Sequence, residues 1–229
     1  MIPYHPIRLR CIALLLPACL CWQSASGGLV PSREDIIFLV DNSRNMQQVD
    51  APVSLPASIG TFLSRINSDA RAALILFDDT VTLEVPFTPV GDGQPGNMMT
   101  GLEHINYESR FSNAAAALER ALYEQQHSGR KGAGKTILLF SSGAIDTGNE
   151  AHDLNFTRWM SSVLGEDAAE SHIRVFCIAF SKNGDISLFE TLARETGGSC
   201  YRYSGGDNLP ALLEHAAVEI FSKPLPSVR

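Results

Sequence analysis

Four short, continuous apolar runs limit most strongly what this chain can fold into. The runs lie at 36–40, 72–77, 137–140 and 175–180, and each is rich in β-branched or aromatic residues. An uninterrupted apolar run of this length is typical of a strand that is buried on both faces, as in a parallel sheet covered by helices. The runs therefore predict the central strands of an α/β fold.

The segments between the runs have the spacing of amphipathic helices. Apolar residues recur with a period of about 3.6 over 59–66 and over 115–125. Ser112 is the expected N-cap of the second of these helices, because its hydroxyl can accept a hydrogen bond from a free backbone N–H. Further helices are expected at about 155–165, 186–196 and 207–222.

Two further segments complete the predicted sheet. The apolar segment 81–87 follows the second run after only three residues, which is too short a link for a parallel crossover. It must therefore be an antiparallel hairpin partner at a sheet edge. The segment 200–203 reads as a short last strand. The order predicts a doubly wound, three-layer α/β/α sandwich with a six-stranded, mostly parallel, Rossmann-like sheet and one antiparallel edge strand.

The first 26 residues form a separate compositional block. Arg8 and Arg10 precede an apolar run at 11–21, and small residues follow it. This order predicts a cleavable signal peptide at 1–26, and hence a periplasmic or secreted protein. The apolar run is about half of the roughly 20 residues that a membrane-spanning helix needs. An uncleaved membrane anchor and a lipoprotein attached through Cys19 are the alternatives.

The remaining chain reads as one acidic domain. It is expected to span 33–222, followed by a tail at 223–229. The whole chain has a formal net charge of −7, and loss of the signal peptide removes two arginines and no acidic residue. This balance argues against nucleic acid and anionic membrane surfaces as partners.

Two cysteines, Cys177 and Cys200, lie outside the predicted signal peptide. In an exported protein such a pair can form a disulfide. Because Cys177 lies inside an apolar run, two small buried thiols are an equally good interpretation. The sequence leaves both open.

The end of the first strand is rich in oxygen-bearing side chains. Ligands of open α/β sheets bind beyond the carboxyl ends of the strands. Asp41 ends this strand, and Ser43 and Asn45 follow at alternate positions. This spacing lets one loop direct a carboxylate, a hydroxyl and an amide oxygen to one point, as a hard cation requires.

The segment 35–46 resembles the opening strand and the metal-ion-dependent adhesion site of von Willebrand factor type A domains, whose pattern is Asp-x-Ser-x-Ser. The similarity continues, in order, through 74–79, 112–113, 136–143 and 196–199. The resemblance implies a protein-binding or adhesion module, not an enzyme.

The resemblance also implies a site for Mg²⁺ or another divalent cation, whose shell an acidic side chain of a partner protein often completes. Carried over by position, the ligands are Asp41, Ser43, Asn45, Ser112 and Ser142. The last three stand where the family has Ser, Thr and Asp. Asn45 and Ser112 keep an oxygen, whereas Ser142 does not keep a charge.

Two hypotheses about this site follow. The first is a weak divalent-cation site, because magnesium sites commonly use one or two carboxylates and retain water. A nearby acid such as Asp146 is one candidate for the missing charge. The second is a metal-independent scaffold or assembly domain that carries a remnant of the site.

Two catalytic motifs are rejected on their context. Residues 129–136 match the phosphate-binding loop pattern, but a predicted helix precedes them and a strand follows, the reverse of what phosphate binding needs. The segment 141–143 lacks the first glycine of a hydrolase nucleophile elbow. We therefore expect no nucleotide cofactor and no catalytic residues.

Overall fold

The apolar runs form the strands of one six-stranded sheet in the computed structural model. The strands are β1 (Glu34–Asp41), β2 (Arg71–Phe77), β3 (Val81–Pro89), β4 (Gly134–Ser141), β5 (Ile173–Phe180) and β6 (Cys200–Tyr203). Their order is β3-β2-β1-β4-β5-β6. Every neighbouring pair is parallel except β2 and β3, which are antiparallel. The predicted sheet and its antiparallel edge strand are confirmed.

The structure describes residues 33–50, 54–66, 69–90, 96–143, 145–205 and 208–222. The predicted signal peptide at 1–26 and the tail at 223–229 lie outside these residues. Within the described ranges, no helix combines the length and the apolar character needed to cross a bilayer.

Helices cover both faces of the sheet. They are α1 (Arg44–Gln47), α2 (Leu55–Arg65), α3 (Gly96–Leu102), α4 (Ala114–His127), α5 (Glu150–Trp159), a π-helical turn (Met160–Leu164), α6 (Gly165–Glu170), α7 (Ser187–Thr196) and α8 (Leu209–Ser222). The helix predicted at 155–165 is the middle of the continuous α5–π–α6 stretch. The helices α1 and α3 were not predicted, since each is too short to display a full apolar period.

The N-terminus of α4 corrects one prediction. Asn113, not Ser112, is the N-cap, and its side-chain oxygen accepts a hydrogen bond from the N–H of Ala116 at 3.1 Å. Ser112 lies one residue too early to reach the first turn, so its hydroxyl is free for another contact.

The central strand β1 is buried along its whole length. On one face, alternate residues such as Phe38 pack with α2, α3 and α8, and on the other, residues such as Leu39 pack with α4 and α7. Each fully buried apolar side chain contributes about 1.5–3 kcal/mol. The carboxyl end of β1 is therefore held from both sides.

The segment 129–136, which matches the phosphate-binding loop pattern, links a helix to a strand, as predicted. The helix α4 ends at His127, and Gly134 begins β4. Arg130 in this segment forms an ion pair with the buried Asp35, with 2.8 Å between nitrogen and oxygen. The segment thus closes the amino edge of the sheet, opposite the predicted binding edge.

Candidate functional site

Three separate stretches of chain meet at the carboxyl edge of the sheet. The neighbouring strands β1 and β4 end at Asp41 and Ser141. The segment before α4 reaches the same place, because the backbone of Ser109 pairs with Ser43 and that of Ser112 pairs with Asp146. The order of strands therefore builds the site from distant parts of the sequence.

The centre of the site is the carboxylate of Asp41, which is fully buried. One oxygen accepts a hydrogen bond from the backbone N–H of Ser43 at 2.9 Å. The other accepts hydrogen bonds from the hydroxyls of Ser112 and Ser141, both at 2.9 Å. Burial raises the pKa of Asp41, and hydrogen bonds from the surrounding serines oppose that rise.

Two hydroxyls at the site are buried without a hydrogen-bond partner, namely those of Ser43 and Ser142. The Ser43 hydroxyl lies near enough to the carboxylate to help lower the pKa of Asp41, but it makes no hydrogen bond of ordinary geometry. Buried polar atoms are nearly always paired, so each exception needs a physical reason. A bound cation or an ordered water is the kind of partner that would satisfy such an oxygen.

The five residues predicted from the sequence are not equivalent in the structure. Ser43 and Ser112 hydrogen-bond directly to Asp41. Ser142 comes one residue after Ser141, and it is Ser141 that hydrogen-bonds to Asp41. Asn45 is partly buried in α1, which begins directly after Ser43. Ser141 was missed, because a serine at the last position of a buried strand is indistinguishable in sequence from an ordinary strand end.

Asp146 lies beside this centre through its backbone, and its side chain is hydrogen-bonded within its own loop. Its backbone N–H donates to the carbonyl of Ser112 at 2.9 Å, and the Ser112 N–H donates back at 2.7 Å. Its side chain instead accepts a hydrogen bond from the N–H of Gly148 at 3.0 Å. In the described ranges, no group of three or more His, Cys, Asp or Glu residues is placed to hold a metal ion.

The loop after β1 is held by a second set of contacts that the sequence did not reveal. The Asn42 side-chain oxygen accepts hydrogen bonds from the N–H groups of Asn106 and Tyr107, at 2.9 and 3.0 Å. The Tyr107 hydroxyl donates to Asp50 at 2.7 Å, and Tyr107 itself has a left-handed backbone, with φ of 55°. The loop that presents Ser43 is therefore pre-organised.

The donor set fits a hard cation that is only partly held by protein. It combines one carboxylate with serine hydroxyls, two of them without partners, and oxygen ligands of this kind suit Mg²⁺. Within the part of the chain that is described, no histidine hydrogen-bonds to Ser141 or Ser142, so a hydrolytic Ser–His pair is not formed.

A doubly wound sheet with a carboxylate and serine cluster at its carboxyl edge defines an α/β domain with a preformed loop face. A sequence profile of the von Willebrand factor type A domain matches residues 35–215, and the chain belongs to this family. A comparison with curated protein sequences gave no match.

Solved structures share the fold at low sequence identity. An aerotolerance-related membrane protein from Bacteroides fragilis is 16% identical, with 83% of this chain and 100% of that chain covered and a TM-score of 0.62. BatB from Bacteroides thetaiotaomicron is 14% identical, with 83% and 100% covered and a TM-score of 0.63. The von Willebrand factor domain of the type V pilus tip protein Mfa5 from Porphyromonas gingivalis is 13% identical, with 87% and 99% covered and a TM-score of 0.62.

Proposed function

We propose that this protein is a non-enzymatic interaction module that binds a partner protein through the loop face around Asp41. A divalent cation such as Mg²⁺ is held there by Asp41, Ser43 and Ser142, with Ser112 and Asn45 within the same loops. The observation that carries the proposal is the pair of buried hydroxyls without a hydrogen-bond partner, on Ser43 and Ser142, at the ends of the paired strands β1 and β4 where the Asp41 carboxylate is also buried.

The charge at the site points to the chemistry of the partner. Asp41 gives one negative charge against the two positive charges of the cation, and Asp146 is turned to its own loop. A carboxylate from a partner would bring the shell to neutrality and add a hard oxygen ligand. We therefore expect an acidic side chain of the partner to bind directly at the cation.

A metal-independent scaffold is the second candidate, and one observation favours it. Three donors from the chain already hydrogen-bond to Asp41, so the loop face is ordered by protein contacts alone. In that case the face, or another surface, binds the partner without a cation.

Titration of Mn²⁺ and Mg²⁺ into the protein, followed by calorimetry, separates the two candidates. The cation proposal expects a binding isotherm that is lost in Asp41→Asn and weakened in Ser43→Ala. A flat titration of the wild-type protein with both ions would overturn the cation proposal. Capture of a partner that survives a chelator would support the scaffold.

A gain of affinity gives a sharper test. Ser142→Asp adds a second carboxylate at a partly buried position directly after β4, so the Mn²⁺ affinity should rise by about tenfold or more. Ser162→Asp is the matched control, because it adds the same charge on an exposed serine of the π-helical turn. Equal effects of both variants would mean that only net charge, and not the site, had changed.

The acidic partner is tested with a short peptide that carries one central Glu and with its Gln counterpart. The Glu peptide should bind in the presence of Mn²⁺ and dissociate when a chelator is added. Equal binding of both peptides would contradict direct coordination by the partner.

We also propose that the protein acts outside the cytoplasm. Arg8 and Arg10, followed by the apolar run at 11–21, support this, as do the membrane protein and the pilus tip protein among the similar structures. Mass spectrometry of the protein from fractionated cells should find an N-terminus near residue 27 in the exported fraction. An intact N-terminus in the cytoplasmic fraction alone would contradict export.

A further inference from the structure

Cys177 and Cys200 face each other across two neighbouring strands. They are register partners in the parallel pairing of β5 with the edge strand β6. Neighbouring strands lie about 4.7–4.9 Å apart, within the Cα separations of about 4.4–6.8 Å that disulfides have. Both side chains pack in the core cluster that contains residues of α7, so they lie on the same face of the sheet.

The backbone fixes this register at the start of β6. The N–H of Cys177 donates to the carbonyl of Ser199 at 3.0 Å. Gly198 lies so close to β5 that a Cβ atom there would come within 2.1 Å of the Val175 carbonyl oxygen. The chain before Cys200 therefore packs tightly against β5, and this packing fixes Cys200 opposite Cys177.

The two thiols are free and have different surroundings. Cys177 is fully buried, and Cys200 is partly buried and lines an open depression with Glu190 and Arg194. The neighbouring Cys177 thiol lowers the pKa of Cys200, while burial raises the pKa of Cys177. The partly buried Cys200 sulfur is therefore more reactive than the fully buried Cys177 sulfur.

We propose that Cys177 and Cys200 form a reversible dithiol–disulfide pair, in which Cys200 reacts with an external disulfide and Cys177 resolves the product. This inference is independent of the proposed cation site. It rests on the register of β5 with β6, on the packing of both side chains in one core cluster, and on the opening beside Cys200.

The chemistry balances in two exchange steps. The Cys200 thiolate attacks a small external disulfide such as oxidised glutathione, forms a mixed disulfide and releases one glutathione thiolate, which takes up a proton. Cys177 then loses its proton and attacks the Cys200 sulfur, which releases a second glutathione. The protein dithiol is oxidised by two electrons, and the external disulfide is reduced to two thiols.

Peptide mapping tests whether the pair forms. Native protein is incubated with oxidised glutathione, its free thiols are blocked with a maleimide, and it is digested with trypsin. The expected product is a disulfide that links peptides 175–182 and 195–202, and it should disappear after reduction. The inference is overturned if both cysteines stay free while the protein is folded, if they link only in denaturant, or if Cys200 links to the peptide that contains Cys11.

Two matched variants test the order of the steps. Cys177→Ser removes the resolving thiol, so a glutathione adduct should persist on Cys200. Cys200→Ser removes the attacking thiol, so the buried Cys177 should react at least about tenfold more slowly than Cys200 does in the first variant. Equal adduct formation in the two folded variants would overturn the assigned roles, and the wild-type peptide link remains decisive if either variant fails to fold.

Discussion

At the scale of single residues, the burial of Asp41 disfavours its charged form, which is the form that a cation would bind. Its carboxylate is fully buried, and burial raises its pKa above the ordinary 3.8. The charged form is therefore disfavoured in the fold, and the stability associated with the protonated form is lost as the pH rises through the raised pKa. A cation that binds only the charged form would offset that cost.

We expect Asp41→Asn to abolish cation binding while it changes the free energy of unfolding by no more than about 1 kcal/mol without cations. The amide oxygen can still accept from the Ser43 N–H, and the hydroxyls of Ser112 and Ser141 can rotate to accept from the amide nitrogen. Urea denaturation at neutral pH measures the change. A loss of several kcal/mol would mean that the carboxylate itself holds the loops.

The serines around Asp41 should separate into two groups. Removal of Ser112 or Ser141 takes a donor from a buried carboxylate, so each change to alanine should cost about 1–3 kcal/mol. Ser43→Ala and Ser142→Ala remove hydroxyls that make no regular hydrogen bond, so each should cost less than the changes at Ser112 and Ser141. Denaturation of the four variants in a chelator gives the comparison, and equal losses in both groups would contradict the assigned contacts.

Local spacing and family resemblance predicted only part of the site from the sequence. Asp41 and Ser43 lie two residues apart, so their joint role is visible in the chain itself. Ser141 reaches the site through the pairing of β1 with β4, a hundred residues away. The Asn42 contact to Tyr107 likewise depends on how two loops pack, which no periodicity encodes.

At the scale of elements, the cap at the start of α4 determines what the neighbouring Ser112 hydroxyl binds. Asn113 caps the helix by accepting from the Ala116 N–H, which leaves Ser112 for Asp41. Asn113→Ala should therefore destabilise the protein by about 1 kcal/mol, the usual value of an N-cap. Thermal unfolding of Asn113→Ala beside Asn113→Asp checks this, since the aspartate keeps a capping oxygen. An equal loss in both would argue against the cap.

Long elements with a clear apolar pattern were predictable, and short or composite ones were not. All six strands were found, because each buries an apolar run or closes an edge in a way that the link length dictates. The helices α1 and α3 have four and seven residues, and packing rather than pattern stabilises them. The π-helical turn at Met160–Leu164 joins two helices without any Gly or Pro within it to mark the change.

At the scale of the whole molecule, the edge of the sheet opposite the binding loops contains a buried ion pair that joins distant elements. Glu34 on β1 contacts Arg174 on β5 at 3.2 Å, and Arg174 also donates to the carbonyl of Ile220 in α8 at 3.0 Å. Gly134 makes room for this group, because a Cβ atom there would lie 2.1 Å from the Glu34 carboxylate. Glu34 thus links β1, β5 and α8 at the amino edge, beside the buried Asp35 and its ion pair with Arg130.

Glu34 should make the stability of the whole fold depend on pH. Burial, opposed by Arg174, raises the pKa of Glu34 from 4.5 to about 7. The folded state then holds a proton that the unfolded chain gives up, so the associated stability is complete below about pH 4.5 and is lost as the pH rises through about 7. At about 1.4 kcal/mol per pKa unit, the loss is at most about 3.5 kcal/mol.

Glu34→Gln should remove this part of the pH dependence, because the amide is neutral at every pH and its oxygen can still accept from Arg174. Urea unfolding at pH 5 and pH 8 should show a smaller drop in the free energy of unfolding for the variant than for the wild-type protein. Glu119→Gln changes an exposed glutamate and serves as the control, which should keep the wild-type drop. Parallel curves for the wild-type protein and Glu34→Gln would show that Glu34 is already charged across this range and that Arg174 outweighs its burial.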